Sequence, residues 1–137
     1  MKFTILLILS VCIYTNTMEA QDLKKHQWEH RIIVVSSSTF ENQEAKEQLQ
    51  LLKKDTGALD ERKLVIYHVT NSGYTVDFSE DIQVSEKTQF AIESFQVSLI
   101  GLDGTEKFHA TEVQPAAKFF TLIDAMPMRR AEMKNDH

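Results

Sequence analysis

Apolar positions along this 137-residue chain alternate between short β-branched runs and stretches of helical spacing. Arg31-Ile32-Ile33-Val34-Val35-Ser36 is apolar on both faces, the pattern of a strand buried on both sides in a parallel sheet. Before it, residues 21–31 are polar, with Trp28 as their one large apolar anchor. Ser38-Thr39-Phe40-Glu41 has capping-box spacing, a hydroxyl with a carboxylate three residues later, and predicts a helix over residues 40–55. Ala45, Leu49 and Leu52 mark its apolar stripe, Lys53 and Lys54 suit the negative end of its dipole, and Gly57 is expected to stop it.

A second strand is predicted over residues 62–70, on Leu64-Val65-Ile66-Tyr67-His68-Val69, followed by a turn at Asn71-Ser72-Gly73. Residues 74–84 are ambiguous, because Tyr74, Val76 and Phe78 alternate like a strand until Glu80-Asp81 interrupts. Residues 85–92 read as a short helix and 96–100 as a third strand. Asp103-Gly104 is a strong hairpin turn, and residues 106–110 return as a fourth strand. Pro115 suits a helix start, after which Ala116, Phe119, Phe120, Ile123 and Met126 keep helical spacing up to Pro127, which ends or kinks the helix. Residues 128–137 form a charged tail with some helical tendency. The resulting order, β-α-β-(α)-β-β-α, predicts an α/β domain with a central mixed sheet and matches the thioredoxin-like layout, a three-layer sandwich.

Residues 1–20 change the picture. Lys2 precedes about twelve mostly apolar residues, fewer than the ~20 needed to span a bilayer. The stretch Met18-Glu19-Ala20 offers a cut before Gln21. This is the shape of a secretory signal peptide, so the expected organisation is a leader (1–20), one domain (21–134) and a short tail (135–137). Export to the periplasm or the exterior follows, with no membrane span after cleavage. The single cysteine, Cys12, lies in the leader. The cleaved chain then has no thiol for disulfides or redox chemistry; lipoprotein processing at Cys12 is the competing reading, and only retention of Cys12 would leave thiol or peroxide chemistry open. A formal net charge of −5 argues against nucleic acid, which needs clustered positive charge.

Two stretches are more specific: Leu99-Ile100-Gly101-Leu102-Asp103-Gly104-Thr105-Glu106-Lys107 and Leu122-Ile123-Asp124-Ala125-Met126-Pro127-Met128-Arg129-Arg130. Together with Trp28 and Arg31 before the first strand and Glu61-Arg62 before the second, they resemble the "domain of unknown function 4174" family over nearly all of residues 23–134. The resemblance implies a thioredoxin-like fold, found in exported bacterial proteins and in vertebrate extracellular-matrix and sushi-repeat proteins, and no established activity. Where true thioredoxins carry CxxC after the first core strand, this chain has Ser36-Ser37-Ser38-Thr39. Where they carry a proline before the third strand, it has Gln96. Serine cannot replace sulfur in thiol–disulfide exchange.

Four sets of residues bear chemistry. Asp124, Arg129 and Arg130 form either a salt-bridged clamp on the C-terminal segment or a carboxylate- or phosphate-binding site; Asp103 and Arg62 are the other candidate members. His26-Gln27-Trp28-Glu29-His30 matches the inverted zinc-protease pattern, but it runs straight into a strand, and His26 and His30 are weak metal candidates only. Met126, Met128, Met133 and His137 offer soft copper ligands or plain packing. Ser36 to Thr39 suit helix capping or an anion at a helix N-terminus; as nucleophiles they need a base, for which His68 on the neighbouring strand is a candidate that the sequence does not place. His68 and His109 otherwise read as hydrogen-bonded sheet residues. The expectation is a non-catalytic binding domain without a cofactor, its partner a protein or an envelope or extracellular component. The alternative is a non-thiol enzyme, or an anion or metal-ligand binder, built on Asp124, Arg129 and Arg130.

Overall fold

A computed structural model describes residues 23–84 and 91–135. Strand β1 (Arg31–Ser36) is followed by helices α1 (Gln43–Lys53) and α2 (Thr56–Glu61), then strands β2 (Leu64–Thr70), β3 (Gly73–Val76), β4 (Gln96–Ile100) and β5 (Glu106–Ala110), and finally helices α3 (Ala116–Asp124) and α4 (Pro127–Asn135). The five strands form one mixed sheet in the order β3-β2-β1-β4-β5. β1 lies at its centre, parallel to β2 and antiparallel to β4. With neighbours on both edges and packing on both faces, its apolar residues are all buried, as the unbroken run Ile32 to Val35 requires.

The period of two along the strands separates two cores. Ile33, Val35, Leu64, Ile66, Val97 and Leu99 face one way, onto Ala45 and Leu52 of α1, Leu59 of α2, and Phe119 and Ile123 of α3. Ile32, Val34, Val65, Tyr67 and Val69 face the other way, onto Leu23, Tyr74, Val76, Ile92 and Ile100. None of the four named helices contributes to this second core. The expected third layer is thus not formed by any of them. Ile92, placed by the sequence reading in a helix over 85–92, has no helical backbone, and residues 85–90 lie outside the described residues, as does the leader.

Several boundaries differ from the sequence reading, each for a local reason. Helix α1 starts at Gln43, because Asn42 and not Ser38 caps it: Asn42 Oδ1 accepts from Ala45 N at 2.9 Å. Residues 38–41 are held as a turn instead, with the Phe40 ring edge-on to His68 at 5.1 Å. Gly57 does not stop the helix. It lies in the first turn of α2, which opens at Asp55, whose Oδ1 accepts from Ala58 N at 2.9 Å. Pro127 both ends one helix and opens the next, so most of the expected tail is α4. The ambiguous segment becomes the short edge strand β3. Gly73 at φ 153° lets β3 pass close to residue 83, where a Cβ would stand 2.4 Å from the Gln83 carbonyl oxygen. Trp28 is 62% exposed and anchors through its backbone, donating N–H to the Leu102 carbonyl at 2.7 Å.

Candidate functional site

At one end of the sheet, three arginines and three carboxylates interlock. Arg31 opens β1 and is fully buried. Its two terminal nitrogens donate to the two Glu132 oxygens at 3.2 and 3.3 Å, and Nη1 also donates to the Arg62 carbonyl at 3.0 Å. Arg62, between α2 and β2, makes a two-pronged bond to Asp124 at 3.1 and 2.9 Å and lies over the Phe120 ring at 4.5 Å. Arg129, also buried, donates to Asp124 Oδ1 at 3.2 Å, to the Glu61 carbonyl at 3.1 Å and to Glu61 Oε1 at 2.8 Å. Paired, planar contacts of this kind are the geometry in which guanidinium outperforms ammonium.

The charges of the cluster balance. Burial pushes Asp124 toward its neutral form, but the guanidiniums of Arg62 and Arg129 outweigh it and hold the carboxyl below its usual range. Burial likewise opposes the charge on Arg129, and the carboxylates of Asp124 and Glu61 outweigh it, raising its pKa. Within this cluster Arg62, Asp124 and Arg129 sit together. Asp103 does not join them: it accepts from Lys107 Nζ at 2.8 Å and from the Thr105 N–H and hydroxyl, which closes the β4–β5 hairpin. Those contacts, Lys107 first, hold its pKa down to about 2. Arg130 is exposed and makes no ion pair among the described residues.

In the hydroxyl segment after β1, Ser37 is enclosed while Thr39 is exposed. Ser37 is fully buried, its Oγ 2.7 Å from the Thr39 carbonyl and 2.8 Å from His68 Nε2. A hydroxyl has one proton, and the carbonyl takes it, so His68 must supply the second hydrogen from Nε2. His68 is therefore a donor to Ser37 and not its base. Burial pushes the His68 pKa down to about 4, consistent with a neutral ring held for structure. His109 is also a sheet residue, with Nδ1 3.0 Å from Ser98 Oγ.

The H-x-x-E-H stretch is not a protease helix: residues 25–29 are turn, Trp28 has φ 72°, and Glu29 is exposed. His26 and His30 nonetheless meet, with Nδ1 atoms 3.5 Å apart. Of the methionines, Met126 and Met128 line a cleft of about 160 Å³ together with Arg31, Leu102, Asp103 and Lys107. Met133 is elsewhere, and His137 lies outside the described residues.

The cleft thus brings the Gly101–Lys107 hairpin against the Met126–Met128 junction, the two most specific stretches of the sequence. The family model described as "Domain of unknown function (DUF4174)" matches residues 22–132. The chain belongs to the DUF4174 family. No curated protein and no solved structure matches it. In this DUF4174 chain, the residues that carried the resemblance also meet in space: Arg31, Glu61-Arg62 and Arg129 form the cluster. The partners Glu61 and Glu132 were not singled out for chemistry in the sequence, because each is recruited from a distant element: Glu61 pairs with a residue 68 positions away and Glu132 with one 101 positions away. Buried Gln48 was also missed. Its amide bonds both to the Gln114 carbonyl (2.9 Å) and from the Gln114 N–H (2.8 Å), tying α1 to the start of α3.

Proposed function

We propose that this DUF4174 chain is an exported, thioredoxin-like domain without redox cysteines, acting by binding and not by turnover. The thioredoxin-like reading is supported by β2-β1-β4-β5, one parallel and two antiparallel pairs, with α1 and α3 both packed on one face. The observation that carries the non-catalytic reading is Ser37 in the Ser36–Thr39 segment, which is buried with its one proton committed to a carbonyl. The saturation of Asp124, Arg62 and Arg129 weighs against an enzyme or anion site centred on them. The leader-like residues 1–20 support export to the periplasm or exterior, and the partner is then a protein or envelope component, met on the exposed surface that includes Arg130 and Met128.

The test is a secretion experiment with a chemical readout. Full-length protein is expressed in a secreting host, and the exported form is collected for intact mass and thiol titration. The expected result is loss of residues 1–20, no titratable thiol, and no turnover in disulfide-reductase, peroxidase and hydrolase screens. Robust turnover that disappears in Asp124→Asn or Arg130→Ala, with folding unchanged, would overturn the reading.

A further inference from the structure

The turn that leads into β1 gathers two imidazoles. His30 N–H donates to the His26 carbonyl at 2.8 Å, so the four-residue spacing folds both rings to one side, with centroids 5.3 Å apart and planes at 84°. Their Nδ1 atoms lie 3.5 Å apart. That is long for a hydrogen bond, since N–H···O bonds close to about 2.7–3.2 Å. It is close to the bite of a tetrahedral metal: two bonds of about 2.0–2.1 Å at a tetrahedral angle span roughly 3.3 Å.

The surroundings prepare the same atoms. His26 Nε2 is 2.7 Å from the hydroxyl of buried Tyr67 on β2. With the ring proton on Nε2, donated to that oxygen, the lone pair is left on Nδ1, facing His30. A second-sphere partner of this kind fixes tautomer and ring orientation in metal-bound histidines. Glu29 and Asp77 supply negative potential against Lys25.

We propose that His26 and His30 form a two-imidazole site, through their Nδ1 atoms, for a divalent late transition metal of the zinc and copper class. Among the described residues no group of three or more His, Cys, Asp or Glu gathers to hold a metal. The described residues thus supply two protein ligands, and the proposed site is an open, exchangeable one and not a closed structural centre.

The untagged full chain is titrated with Zn(II) and with Cu(II), followed by calorimetry and by ¹⁵N shifts of the imidazole nitrogens. The expected result is one metal per chain, with the His26 and His30 Nδ1 resonances moving together. His26→Gln and His30→Gln should each weaken binding by at least about tenfold, and Tyr67→Phe by less, with thermal melting confirming that each variant folds. Absence of saturable binding, or binding of equal strength in both histidine variants, overturns the proposal. The imidazole shifts of the unsubstituted protein decide the matter even if a variant fails to fold, because binding that leaves those two rings unmoved also overturns it.

Discussion

His68 is 3% exposed and has a pKa near 4, against 6.5 for a free histidine. Between those two values the unfolded chain takes up a proton that the folded one refuses. Its contribution to stability is therefore intact above about pH 6.5 and is lost as the pH falls toward 4, by roughly 3 kcal/mol in all. Urea unfolding across this range should show the decline, and His68→Gln, whose amide nitrogen can still donate to Ser37, should flatten it. The arginine cluster predicts an asymmetry of a different kind. Removing Glu132 leaves the fully buried Arg31 guanidinium without its carboxylate, a loss expected to cost about 3–5 kcal/mol. Removing Arg31 leaves Glu132, whose side chain is 18% exposed and still has Lys63 at 3.8 Å and Arg129 at 3.6 Å. Glu132→Gln should therefore destabilise more than Arg31→Met in denaturant titrations, and equal losses would contradict the burial argument. Arginine and aspartate as the chemistry-bearing residues near the C-terminus were legible in the sequence. A clamp joining Arg62 and Arg129 to Asp124 was legible there too, but Glu61 and Glu132 were not, because a guanidinium's partner is chosen by tertiary proximity, and Arg31 meets Glu132 across 101 positions.

Elements defined by long apolar runs were readable, and short ones defined by contacts were not. β1 and β4 occupy the spans expected of them, since their alternation meets two distinct cores. α2, with six residues, and β3, with four, carry too little periodicity to stand out, and they form because Leu59 and Tyr74 find places already made by the sheet. The cap of α1 turned on two good candidates, Ser38 and Asn42, four residues apart. Propensity ranks them as equals, and the contact between Phe40 and His68 decides between them. Asn42→Ala should cost about 1 kcal/mol in thermal or urea unfolding, and Ser38→Ala much less; the reverse order would return the start of the helix to residues 38–40.

At the scale of the molecule, the edge strands of the described sheet are β3 and β5, and the outer side of β3 is partly covered by Gln83, which exchanges two backbone hydrogen bonds with Tyr74. β5 presents Glu106, Lys107 and His109 at or near the surface, charges that discourage strand addition by another chain. The mixed sheet and its α/β class followed from the order of elements. The helix expected over residues 85–92 falls mostly outside the described residues; Ile92, its described end, is not helical and lines the second core with strand residues and Leu23.

The bond from Arg31 to Glu132 spans 101 positions, almost from the first strand to the last helix. A ribosome makes these ends in sequence. For most of synthesis, the guanidinium at the head of β1 has no counter-charge to fold against. The central strand of the sheet cannot be buried at full stability until α4 has emerged, well after the last strand of the sheet, β5, has been made. The wait between the two events is set by the distance between two charges.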